Sequence, residues 1–210
     1  MKYASKMLAM LCVSLLVAAT AQAAAIAVPN GDFESDASGS TNVTSWTEPV
    51  GNIGVWVIGG DNYMGNYNTQ YGSYTAENDL GTAIEASKTY TISYEYGNGH
   101  TQTSPASATW TVEFGTLNGG TFTALATDTN TETVSGTSHH FSIGNETATS
   151  FQFTTSGSVS GDNLAIRASA DGGAGWMAFD NFTVDVVPEP ATMSLLGIGG
   201  LLALVRRRRK

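Results

Sequence analysis

Residues 88–96 read Lys88-Thr89-Tyr90-Thr91-Ile92-Ser93-Tyr94-Glu95-Tyr96. Tyr90, Ile92, Tyr94 and Tyr96 alternate with Thr89, Thr91, Ser93 and Glu95. That is the two-residue period of a strand with one buried and one wet face. Further along, Trp110, Val112 and Phe114 repeat the pattern against Thr109, Thr111 and Glu113. Weaker runs lie outward of these at 54–58, 121–126, 139–143, 150–154 and 164–168. A last one covers 176–186, with Phe182, Val184 and Val186 in phase. Clusters of Gly, Asn, Asp and Ser separate the runs. No stretch of 24–187 has helical spacing, and no repeat of solenoid length is present. The pattern predicts an all-β domain of about eight or nine strands, a β-sandwich of the jelly-roll kind.

The two ends read differently. Met1–Ala23 has a basic start (Lys2, Lys6), an apolar run from Met7 to Ala19, and then Ala21-Gln22-Ala23. These are the parts of a secretory signal peptide, and the apolar run is too short to cross about 30 Å of hydrocarbon. Bulky Leu11 ahead of Cys12 argues against a lipid anchor there. At the other end, Val187-Pro188-Glu189-Pro190 precedes an apolar stretch from Ala191 to Val205, and Arg206-Arg207-Arg208-Arg209-Lys210 closes the chain. As a helix those fifteen residues span about 22 Å, short for a transmembrane helix unless the arginines snorkel. The terminal charges would stay cytoplasmic and leave the domain outside.

This tail resembles the PEP-CTERM sorting signal: the Pro-Glu-Pro of Pro188, Glu189 and Pro190, a short Gly-containing apolar helix, and the cluster Arg206, Arg207, Arg208, Arg209. The resemblance implies recognition and cutting by an exosortase in the inner membrane of a Gram-negative bacterium. It also implies a place in the cell envelope or extracellular matrix, in association with exopolysaccharide and biofilm. Signal peptidase would be the second processing partner, and the membrane would hold the tail only transiently. The organisation expected is a signal peptide over 1–23, a domain over 24–187 and a sorting tail over 188–210.

The chain has 210 residues, with 18 acidic and 9 basic side chains. Between the two ends, seventeen acids face only Lys88 and Arg167. A surface with fifteen excess negative charges repels phosphate backbones, which excludes nucleic acid as a partner. Cys12, the one cysteine, lies in the leader. The mature domain therefore has neither a disulfide nor thiolate chemistry.

Two segments carry a second resemblance. The mature chain opens with Val28-Pro29-Asn30-Gly31-Asp32-Phe33-Glu34-Ser35 and closes with Phe179-Asp180-Asn181-Phe182-Thr183-Val184. This pairing resembles the galactose-binding-like jelly roll, a fold that includes many carbohydrate-binding modules. In similar modules a structural calcium sits where first and last strands meet, and Glu34 and Asp180 match its carboxylate ligands. Asp32 is a further candidate. The residues agree: Asp180 shares the parity of Phe182, Val184 and Val186, which aims its carboxylate at the core unless a bulge intervenes. A buried carboxylate needs a partner, and calcium takes six to eight oxygens. The alternative is that Asp180 caps a turn or meets solvent through a bulge.

The ligand question centres on 59–74, where Tyr63, Tyr67, Tyr71 and Tyr74 stand among Gly, Asn and Asp. The composition predicts a long loop. Tyrosines among amides suit sugar binding, since rings stack on a pyranose while amides meet its hydroxyls. The candidate ligand residues are Trp56, Tyr63, Tyr67 and Tyr71. The alternative is a loop that packs its tyrosines over the end of the sandwich. No hydrolase or metalloprotease motif occurs, and His139 and His140 are sequential, so on a strand they face opposite ways. The expectation is an exported, non-enzymatic binder of exopolysaccharide glycans. Two alternatives stand beside it, a structural or adhesive matrix protein without a pocket and a polysaccharide hydrolase of the same fold.

Overall fold

Tyr90, Ile92 and Tyr94 are buried on one face of their strand and Trp110, Val112 and Phe114 on one face of theirs. These two faces meet. The Tyr90 and Phe114 rings lie 5.3 Å apart, and Tyr96 lies over Trp110 at 4.0 Å. Around this contact the chain, in a computed structural model, forms two antiparallel sheets. Residues 23–58, 60–66, 73–98, 106–134, 147–171 and 177–188 are described. The leader, the tail beyond Pro188, and the expected strand at 139–143 lie outside them. Among the described residues there is no helix, and so none long and apolar enough to cross a membrane.

The strands are β1 (Ala24–Ile26), β2 (Trp46–Val50), β3 (Ile53–Ile58), β4 (Asp61–Asn66), β5 (Tyr74–Ala83), β6 (Lys88–Asn98), β7 (Ala106–Asn118), β8 (Thr121–Val134), β9 (Thr147–Thr154), β10 (Asn163–Ala170) and β11 (Met177–Pro188). Sheet A runs β3-β4-β11-β6-β9 with β1 also on β11, and sheet B runs β2-β5-β10-β7-β8. The first and last strands thus share sheet A, as a jelly roll requires. The all-β sandwich expected from the two-residue periods is the fold.

Strand β10 carries Leu164, Ala165, Ile166 and Ala168, all without exposed surface, because β5 and β7 flank it. An aromatic seam joins the sheets at one end. Phe33, Trp46 and Phe182 lie within 5.2–6.3 Å of one another, and Tyr94 stacks on Phe182 at 5.6 Å. Each such ring contributes roughly 1.5–3 kcal/mol by leaving water. The outer faces are hydroxyl-rich, with cross-strand pairs such as Thr109–Thr131 and Thr111–Thr129 at 2.9 and 3.0 Å.

The expected loop over 59–74 is corrected at 61–66, while 59 and 67–72 lie outside the described residues. Residues 61–66 form β4, paired to both β3 and β11. Its Asn and Gly content misled because the strand is covered on both faces, so polarity does not alternate. Gly65 is a packing requirement here, since a Cβ would sit 3.3 Å from the Met177 carbonyl oxygen and 3.4 Å from Ala178 Cβ.

Candidate functional site

The opening motif folds as a turn in which every residue has a task. Asn30 Nδ2 donates to Asp36 Oδ2 (2.7 Å) and the Thr44 carbonyl (3.0 Å), while Asn30 Oδ1 accepts from the Ser35 N–H (3.1 Å). Gly31 lies against β11: its carbonyl accepts from the Phe182 N–H at 2.9 Å, and a Cβ would stand 2.6 Å from the Phe182 oxygen. Phe33 is fully buried in the aromatic seam. The two motifs of the resemblance are therefore bonded to each other.

On β11 the ladder to β6 shifts between Asp180 and Thr183, and Asn181 takes φ +53°. Two residues there oppose one, which is a β-bulge. It corrects the parity argument. Phe179 and Phe182 both enter the core, so Asp180 belongs with Ala178 on the opposite, outer face of sheet A. Asp180 is nevertheless only 1% exposed. Its carboxylate accepts from the Asn181 N–H (2.7 Å) and Asn181 Nδ2 (3.1 Å), and Asn181 Nδ2 also donates to Glu95 Oε2 at 3.0 Å. Desolvation is the main cause that pushes the Asp180 pKa up, to about 8. The Asn181 N–H opposes this, and the charges of Asp61, Glu95 and Asp32 add to it.

Among the described residues, the two cations are engaged away from Asp180. Lys88 pairs with Glu85 at 3.3 Å. Arg167 lies on sheet B between Glu77 (2.6 Å) and Glu113 (3.6 Å), over the ring of Phe122. Glu34 does not face Asp180 either. Its Oε1 and Oε2 accept from the Asn62 N–H (2.9 Å) and Asn62 Nδ2 (3.2 Å), leaving the buried Asn62 Oδ1 without a partner. Among the described residues, no three carboxylate, imidazole or thiol groups converge on one metal position. Calcium takes carboxylate as well as carbonyl and amide oxygens, and the acids whose charges reach Asp180 are Asp61, Glu95 and Asp32.

Of the ligand candidates, Trp56 and Tyr63 stand directly opposite each other on β3 and β4. Trp56 is half-buried and its Nε1 donates to the Asn66 carbonyl at 3.1 Å. Tyr63 is 1% exposed and packs with Ala178, so its ring forms part of a floor rather than a free stacking face. Tyr67 and Tyr71 lie outside the described residues. The adjoining row across four strands is Gly54, Gly65, Ala178 and Gly97, each opposite the next. Sequence reading missed this row, since its members become neighbours only through the register. A different cleft, of about 450 Å³, opens on the far side of the bulge against β1, with Phe182 its one aromatic side chain.

Residues 186–210 match the PEP-CTERM protein-sorting motif. The chain thus carries a sorting signal of exported proteins at its C-terminus. Among proteins of curated function, none matches the chain in sequence. In three dimensions the chain is similar to a cyclase from Fischerella sp. TAU, with a TM-score of 0.61 and 21% identity over 80% of this chain and 98% of that one. It is also similar, at a TM-score of 0.49 and 16% identity, to the CBM22-1 xylan-binding domain of Paenibacillus barcinonensis Xyn10C, covering 81% of this chain and 99% of that one. The first of these likenesses shows a shared fold and not an activity.

Proposed function

We propose that the protein is an exported, non-enzymatic glycan-binding domain. Its PEP-CTERM tail delivers it to the envelope or extracellular matrix of a Gram-negative bacterium, where exosortase processing follows transient anchoring in the inner membrane. The observation that carries the binding reading is the outer face of sheet A at its β3–β4 edge. There Trp56, partly exposed, stands directly opposite Tyr63 and next to the buried small-residue row of Gly54, Gly65, Ala178 and Gly97. A partly exposed indole at a sheet edge accepts the apolar face of a pyranose. Carboxylates on the same sheet face, Asp61 and Glu95, are available to its hydroxyls. Tyr67 and Tyr71, which follow β4 in the sequence, are the other residues proposed to touch an exopolysaccharide strand.

A calcium ion at the seam, with Asp180 and Asp32 as ligands and Glu34 holding Asn62, stiffens this same face of the sheet. Three of the other acids are committed to structural partners. Asp36 serves Asn30 and Thr44, and Glu77 and Glu113 serve Arg167. Affinity electrophoresis of the mature protein in gels containing the host's exopolysaccharide tests this. Retardation of the wild type, lost in Trp56→Ala, with no shortening of the polysaccharide, is expected. Equal mobility with and without the glycan, or release of oligosaccharides, would overturn the reading.

A further inference from the structure

We infer that the domain carries a second glycan site, a pocket for one neutral sugar residue between the edge strands of the two sheets. β9 is an edge of sheet A and β8 an edge of sheet B. These edges part around a cleft of about 280 Å³. The register gives its place. Lys88 stands opposite Pro188, and the Lys88 carbonyl accepts from the Thr155 N–H at 2.9 Å, so Thr155 on the cleft wall is level with the end of β11. Trp56 lies elsewhere. It is on β3, four strands from β9 and so about 19 Å away across the sheet. Tyr63, opposite it, adjoins Met64, which pairs with Phe179 about 30 Å along β11 from Pro188. No single sugar ring reaches both places.

The cleft lining has the two chemistries a sugar ring needs. Phe153, Leu125 and Val159 line it, partly buried and packed against the core. The Phe153 ring is backed by Phe114 at 6.5 Å, which fixes a platform for the apolar face of a pyranose. Thr116 and Thr123 stand opposite each other on β7 and β8, and among the described residues neither hydroxyl is bonded to a protein group. Asp162 gives Oδ1 to Asn118 Nδ2 at 2.8 Å and keeps Oδ2 for a ligand hydroxyl. The loop that completes the cleft is held in advance. The Asp162 carbonyl accepts from the Ile84 N–H (2.9 Å) and the Ser156 carbonyl from the Ser87 N–H (3.2 Å), while Ser156 Oγ donates to the Ser158 carbonyl (2.8 Å). Such preorganisation lowers the cost of binding. A carboxylate with no lysine or arginine beside it in the lining repels uronates, so the ligand class is a neutral sugar. The small volume suits a chain end or a branch residue. Two sites on opposite edges of the sheet would let one domain join two polysaccharide strands.

The choice of polymer rests on the reading that the protein binds its host's exopolysaccharide, whereas the pocket rests on its own residues. The test follows amide NMR signals of the isotope-labelled mature protein. The probes are the neutral and acidic oligosaccharide fractions of that exopolysaccharide after mild acid hydrolysis. In Trp56→Ala the neutral fraction should still move the signals of 155–162 saturably, and the acidic fraction should not. Thr123→Tyr fills the cleft mouth from an exposed position and should abolish this response. Asp162→Asn should weaken it about tenfold, as loss of a hydrogen bond to a charged group does. Wild type should also thicken a solution of the intact polysaccharide, and either Trp56→Ala or Thr123→Tyr should remove the effect. Signals of 155–162 that stay still, or that move equally in Thr123→Tyr and Asp162→Asn, would overturn the second site. Movement at 155–162 together with glycan binding that ignores Trp56→Ala would overturn the reading of the Trp56 face and uphold the pocket.

Discussion

Asp180→Asn should convert a pH-sensitive domain into a less sensitive one, with a sign that follows from burial. The folded carboxyl is pushed up to about 8 from 3.8. Between those values the native state holds a proton that the unfolded chain has lost. Stability from this group is therefore fully present below about pH 4 and drains away as pH rises towards 8. At 1.36 kcal/mol per pH unit the full linkage is about 6 kcal/mol. The acids around Asp180 are partly solvent-screened, which reduces it to roughly 2–3 kcal/mol. For a domain of this size that is roughly 5–10 °C in Tm. The assay is thermal denaturation of wild type and Asp180→Asn in chelator from pH 4.5 to 8.5. Their difference cancels every other titrating group. The variant's Tm should match or fall slightly below that of the wild type at pH 4.5 and exceed it by the stated amount at pH 8.5. A constant difference across the range would show that Asp180 carries no such penalty and would refute the argument.

Millimolar calcium should raise the wild-type Tm at pH 8 and leave Asp180→Asn nearly unchanged, with about one calcium per chain by elemental analysis. A chelator-insensitive wild type without metal would remove the ion from the account. Gly31→Ala forces a methyl to within 2.6 Å of the Phe182 oxygen. It should cost about 1–3 kcal/mol in urea denaturation, the usual range for overpacking against backbone. Phe182→Ala opens the aromatic seam between Phe33, Trp46 and Tyr94. It should cost about 3–5 kcal/mol by the same measurement, as large aromatic truncations in cores do.

The fold was legible wherever one sheet face is wet. In β6 and β7 the Thr, Ser and Glu residues face solvent, so alternation survived in the sequence and named both strands. It failed for β4 and β5. Tyr63, Met64 and Asn66 are all buried in β4, and β5 places Glu77 and Asn78 side by side under cover, Glu77 against Arg167. Polarity there reports hydrogen-bond partners instead of faces. The seam was half legible. The two motifs did meet, through Gly31 and Phe182, but the bulge at Asn181 reversed the face on which Asp180 sits, and Glu34 turned to Asn62. A left-handed Asn inside an apolar strand was the available signal. The Gly54–Gly65–Ala178–Gly97 row had no signal along the chain, because register alone assembles it.

The measurement that bears most directly on the whole account is the dissociation constant of the mature protein for the exopolysaccharide of its host, taken by calorimetry beside Trp56→Ala. The account predicts saturable binding by the wild type. It also predicts at least a tenfold loss in the variant, measured at a temperature where both proteins are fully folded, as removal of a stacking indole worth about 1.4 kcal/mol or more would give. No heat of binding, or the same isotherm for both proteins, would contradict it.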